Sequence, residues 1–189
     1  MPDDTTSATG GYLPPGEPRP RSQVEDLLHD LIAGITGLPD QSVRPRWQAD
    51  PPKQPPLDAD WCAFGVVGRE TPQYPQVVHD GEGEGSGRVL VHEQLRIVAS
   101  FYGPRAEELA VTLRAGLMIP QNREPLFRAG MGLVEVGALA YVPELTNARW
   151  RPRCDVPLIV AKGPDDMRPA IKNIADVDVD IDTDGGTEE

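Results

Sequence analysis

The sequence predicts an α+β domain, a mixed or antiparallel sheet with two main helices packed on one of its faces. Three observations lead there. Two segments carry apolar residues at three- and four-residue spacing, and several others alternate with period two. These segments run helix, strands, helix, strands along a chain of 189 residues, a length suited to one domain. Hydrophobic residues make up 39% of the chain, enough for a single core, while 21 prolines and 19 glycines forecast long punctuated loops. No internal repeat is visible.

Residues 1–21 read as a flexible arm, rich in proline and glycine and without periodicity. Tyr12 and Leu13 are its only bulky apolar pair, either a docking point or uncommitted. The clearest helix opens at Ser22, where Ser22-Gln-Val-Glu25 fits a capping box. Val24, Leu27, Leu28, Leu31, Ile32 and Ile35 form its apolar stripe, a core face or else a binding groove, and Gly34 and Gly37 supply the stop. From Pro39 to Pro56 the chain is turn and extended structure, and Pro45 confines any strand there to a sheet edge.

Trp61 to Val67 is apolar at nearly every position, as a strand covered on both faces would be. Asp80 to Gly87 is a glycine-rich loop. Val89 to Tyr102 alternates as a long strand but slips phase near Glu93, which a bulge would reconcile. Gly103-Pro104 launches the second helix, with Pro104 in its first turn and Ala106, Leu109, Ala110, Leu113 and Leu117 on its apolar face. Leu126 to Ala129 suits a short helical turn. Met131 to Val142, Trp150 to Ala161 and Ile171 to Ile181 complete the strands. The domain proper is 22–175, and 176–189 is an acidic strand or tail.

Charge restricts the function classes. The formal charge is −12 and the pI about 4.6, with seven carboxylates after Ala175 and no Lys or Arg there. A protein gripping a duplex from outside needs a basic face, so this balance disfavours that role. An acidic channel wall past which DNA slides is compatible with it. Asp176, Asp178, Asp180 and Asp182 alternate with Val177, Val179 and Ile181, which as a strand puts four carboxylates on one face. That face is either solvated or lines such a channel.

Chemical motifs fail one by one. Asp180 to Gly185 fits the start of a calcium loop, but its twelfth position falls beyond residue 189. The glycine run at 81–87 carries Glu82 and Glu84 where phosphates would sit and lacks the terminal Lys-Ser/Thr. His29, His79 and His92 have no metal-ligand spacing, and Cys62 and Cys154 alone cannot build a thiolate zinc site. Both thiols read as reduced and buried or half-buried. The sequence therefore predicts a non-enzyme without cofactor or metal. No stretch approaches the roughly 18 apolar residues of a membrane span.

Four strings carry a resemblance. They are Leu27 to Pro39 running into Val43-Arg-Pro-Arg-Trp-Gln48, Asp60-Trp-Cys-Ala-Phe-Gly-Val66, Ser100-Phe-Tyr-Gly-Pro104 followed by Arg114 to Arg123, and Pro143 to Trp150. Together they resemble the phage neck terminator family over roughly residues 20–175. The resemblance implies a tail-terminator-like fold and a structural virion protein at the head–tail junction of a long-tailed phage, made in the host cytoplasm. It implies a sixfold ring, matched to a tail tube, that ends tube growth, joins the head connector and passes genomic DNA without holding it tightly. Closely related roles, connector or tail completion, remain open, as does an acidic module that mimics DNA.

A closed ring needs two different complementary surfaces on each subunit, and arginine and aromatic residues are enriched at interface centres. The candidates are Arg44, Arg46 and Trp47, then Tyr102 and Arg105, then Gln121, Asn122 and Arg123, then Arg149, Trp150, Arg151 and Arg153. Core packing is the competing role for each tryptophan, and local loop bracing for each arginine. The acidic residues Asp176, Asp178, Asp180 and Asp182 are candidates for the bore.

Overall fold

A computed structural model describes residues 20–71, 74–80, 86–146 and 148–167. The expected strand at 171–181, the calcium-like string, the acidic bore candidates and most of the arm lie outside those residues. So does the centre of the glycine loop.

Helix α1 (Arg21–Thr36) buries Val24, Leu28, Leu31 and Ile32, so the predicted stripe is a core face. Gly37 ends it in the left-handed region at φ 70°, its N–H returning to the Ala33 carbonyl. The capping box does not form. The helix starts one residue earlier, Pro20 occupies the cap without a side-chain hydrogen bond, and Glu25 pairs instead with Arg21 at 2.6 Å. At the other end of its surface, His29 Nδ1 lies 3.1 Å from the Asp30 carboxylate and Nε2 3.1 Å from the Asp40 carbonyl. Two acceptors suit the doubly protonated ring, and the Asp30 hydrogen bond raises its pKa above 6.5. The raised value makes this contribution complete below the ordinary pKa and lost as pH climbs through the folded one. A small fall in melting temperature above about pH 6.5 is expected, absent in His29→Gln.

The main sheet runs β1 (Val43–Pro45), β2 (Trp61–Glu70), β4 (Ser86–Tyr102), β9 (Arg153–Met167) and β5 (Met131–Val136). Strand β3 (Gln76–Asp80) pairs with the first half of β4, and β6 (Ala140–Tyr141) with the start of β9. All pairs are antiparallel except β1 with β2, so the sheet is mixed. Pro45 closes the edge strand β1, where its missing N–H removes no central ladder bond. The phase slip is a bulge, since the β4–β9 register shifts between Val91 and Glu93.

Two strand predictions need correction. The segment expected from Trp150 to Ala161 breaks at Pro152, which has no N–H to give a ladder. Arg149–Arg151 becomes β8, paired with β7 (Glu144–Thr146) in a separate two-stranded sheet, and β9 starts at Arg153. Met131 to Val142 likewise divides into β5 and β6. Strand β3 was not predicted.

Helix α2 (Ala106–Leu117) lies beside α1 on the same sheet face, with short α3 (Glu124–Arg128). Pro104 precedes the helix in a turn and is not in its first helical turn; Arg105 holds the cap, its N–H bonded to Asp60 Oδ1 at 2.9 Å. Ala106, Leu109, Ala110, Leu113 and Leu117 are buried as predicted. They meet Cys62 and Phe64 of β2, Leu95 to Phe101 of β4 and Cys154 to Val160 of β9. The two helices touch at Gly116, where an added Cβ would fall 2.3 Å from Ile35 Cγ2. Gly116→Ala should therefore cost about 1–3 kcal/mol by overpacking. Adding Ile35→Ala should recover part of that loss in a denaturant titration, and no recovery would place the strain elsewhere.

Candidate functional site

The sheet face turned away from the helices concentrates the predicted arginine and aromatic residues. Trp61, Tyr102 and Arg153 are register partners on adjacent strands. The indole and phenol stack with centroids 4.3 Å apart and planes 10° from parallel. The Arg153 guanidinium lies 5.5 Å from the Tyr102 ring centre, and that of Arg44 lies 6.0 Å from the Trp61 ring. Cation, indole, phenol and cation thus form one row across four strands. Burial pushes the Tyr102 phenol above its usual pKa.

The next row is polar. Ser100, fully buried, sits in register between Ala63 and Asp155. Arg46 Nη2 donates to Ser100 Oγ, which donates to Asp155 Oδ1. Arg153 clamps the same carboxylate through Nε to Oδ1 at 2.7 Å and Nη2 to Oδ2 at 2.8 Å, and its Nη1 donates to Glu144. The Asp155 carboxylate holds the Arg153 pKa above the usual value for arginine. Four predicted site residues are therefore engaged within the subunit: Arg44, whose guanidinium braces the loop through the Gln41 and Lys53 carbonyls, with Arg46, Tyr102 and Arg153.

Beside this row the 46–55 loop encloses a cleft of about 360 Å³. Trp47 and Trp61 form its aromatic walls, and Pro45, Pro51, Pro52 and Pro55 much of the remainder. Trp47 is 64% exposed and sits in the left-handed region at φ 59°, its ring so close over Gly65 that a Cβ there would lie 3.1 Å from it. The Arg21 guanidinium lies over the same ring, 5.6 Å from its centre.

Arg151 anchors the β7–β8 hairpin. Its side chain is buried, and Nη2 donates to the Pro55 carbonyl at 2.7 Å. Glu144, directly opposite on β7, reaches Arg153. Strand alternation then turns the next pair, Leu145 and Trp150, outward together, 64% and 69% exposed. Arg149 is exposed beside them. A two-stranded hairpin has little stability of its own, so an outward apolar pair does nothing for this subunit's core.

The third group lies in a 3₁₀ turn after α2. Asn122 Nδ2 donates to the Gly116 carbonyl at 2.9 Å and caps the helix, Gln121 is exposed, and Arg123 Nε is buried with no acceptor among the described residues. Met118 and Ile119 before the turn and Phe127 after it are exposed. Arg105 is exposed and paired with Glu108 at 2.8 Å. Sequence reasoning missed Leu145, Met118, Ile119 and Phe127. Leu145 was recoverable, because a hairpin that pairs Thr146 with Arg149 sets it opposite Trp150; the other three carry no signal apart from their helical surroundings.

The arrangement offers contact chemistry. Among the described residues no group of three potential ligands could hold a metal. Cys62 and Cys154 are free and buried in the core, and burial raises both thiol pKa values away from thiolate reactivity. No described helix is long and apolar enough to cross a membrane.

Residues 22–186 match the profile of a family described as phage neck terminator protein. The chain belongs to the phage neck terminator family. No individually curated protein matches it. The family is a structural one of the phage neck, and that sets the class of this protein. The match begins just after the arm and takes in every described element but the first residue of α1. In this neck terminator the resemblance strings contribute Arg44, Trp61 and Tyr102 of the stacked row, most of the hairpin and the capping turn.

Proposed function

We propose that this neck terminator assembles as a sixfold ring on the tip of a tail tube, ends tube growth, joins the tail to the head connector and leaves a bore for DNA. The observation that carries the proposal is the β7–β8 hairpin. Its inner face is pinned by Arg151 and Glu144, and its outer face presents Leu145 and Trp150 to solvent. An exposed aromatic and aliphatic pair on a braced scaffold suits the centre of a contact between subunits. The turn with Met118, Ile119, Gln121 and Arg123 offers a second, different surface, and a ring that closes needs two. Trp47, Arg105 and Arg149 are exposed enough to join such contacts, while Arg46 acts through the polar row that supports them. Asp176, Asp178, Asp180 and Asp182 are the candidates for an electronegative bore.

Light scattering with negative-stain class averages tests the ring, first on the protein alone and then with purified tail tubes. A six-subunit ring with a central hole, or a ring seen only on tube tips, is the expected result. A monomer that leaves tubes uncapped would sink the proposal.

A further inference from the structure

We infer that the cleft between Trp47 and Trp61 is a proline-recognition groove whose occupant is this chain's own N-terminal arm, through the segment Tyr12-Leu-Pro-Pro-Gly-Glu-Pro18. The inference is independent of ring formation. Three observations converge on it.

The walls come first. Two indoles and four prolines line about 360 Å³ of cleft, the surface on which polyproline II ligands lay their rings. Trp61 also carries a buried indole N–H with no acceptor among the described residues. Buried indole N–H groups normally find one, and a polyproline II strand, which makes no internal hydrogen bonds, has its carbonyls free to offer.

The second observation is the sequence of the arm. Leu13, Pro14, Glu17 and Arg19 each precede a proline, and the clash with its ring steers them toward extended or polyproline II backbone. With three residues per turn, Tyr12, Pro15 and Pro18 fall on one edge of such a helix. Glu17 gives the segment a negative charge, and among the described residues the cleft's Arg44 hydrogen-bonds to two carbonyls, through Nε and Nη1, and to no carboxylate.

The tether is the third. The guanidinium of Arg21, the residue at which the arm joins α1, lies 5.6 Å from the ring centre of Trp47, a wall of the cleft. Pro18 is three residues away, a reach of roughly 10 Å in extended chain. A short tether gives an effective concentration on the order of 1 mM. A segment that binds at about 0.1 mM when free would then fill the cleft about nine-tenths of the time. This advantage favours the chain's own arm over one from a second copy.

The test uses the full chain in a Trp150→Phe background, leaving Trp47 and Trp61 as its two indoles. Acrylamide quenching of their emission is compared between the native arm and Pro15→Ser/Pro18→Ser, changes confined to the arm. The serine variant should quench more readily, and a synthetic peptide of residues 10–20 should restore protection saturably. The same peptide should bind the native-arm protein about ten-fold more weakly, because the tethered segment competes. Equal peptide affinity for both proteins, or no saturable binding to either, overturns the inference. Protection that fades on dilution overturns it too, since an arm from another copy would then be the occupant.

Discussion

Replacing Leu145 and Trp150 together by serine is expected to abolish assembly and leave the fold intact. Both side chains are mostly exposed and face each other across β7 and β8, so removing them opens no cavity. Surface changes of this kind stay within about 0.5 kcal/mol of neutral, and the melting temperature should barely move. The anchors on the hairpin's inner face, Arg151 to Pro55 and Glu144 to Arg153, are untouched. At an interface, loss of a buried aromatic anchor costs about 2 kcal/mol or more, roughly a thirty-fold weakening of each contact. In a phage complementation assay the double variant should give overlong or headless tails. Normal tails would remove the hairpin from the proposed ring and leave the turn at Met118 to Arg123 as the surface to test. Arg123→Glu is the matching probe there, whereas Arg46→Glu would also break the buried Ser100 contact and so cannot report on an interface alone.

The same hairpin shows where sequence reading reaches and where it stops. The apolar stripes of α1 and α2 and the bulge near Glu93 were legible because each is a local period, fixed by the geometry of one element. The edge position of Pro45 was legible for a similar reason, since proline has no N–H to share. Arg153 and Asp155 were not legible as a pair with Ser100 and Arg46. Those residues are 54 and 55 positions apart in sequence, and only the strand register brings them together. The arginine-rich strings therefore suited an interface or local bracing equally well, and Arg44, Arg46, Arg151 and Arg153 brace the fold. The failed capping box has a simpler cause. A side-chain cap competes with whatever else can reach it, and Arg21 takes Glu25 first.

Asp155→Ala should be among the most damaging single changes to the folded subunit. The carboxylate receives both donors of the Arg153 fork and the Ser100 hydroxyl, so its loss leaves three donors short of acceptors in a half-buried row. Breaking a buried pair by removing one partner typically costs about 3–5 kcal/mol. Arg153 keeps Glu144, and both side chains retain some solvent contact, 19% and 16% of their area, so roughly 2–4 kcal/mol is the better expectation here. For a domain of this size that is a drop in melting temperature of roughly 5–12 °C. The stacked row should loosen with it, since Arg153 is held over Tyr102 by the same clamp. The double variant Arg153→Met/Asp155→Leu distinguishes a structural clamp from a merely adjacent charge. If the two residues matter to each other, the double change should cost less than Asp155→Ala alone, because it strands no Arg153 charge, and the Glu144 carboxylate it frees is a third exposed and can be solvated. Additive losses would mean that Asp155 acts mainly through Ser100 and Arg46, and that the polar row is two independent halves.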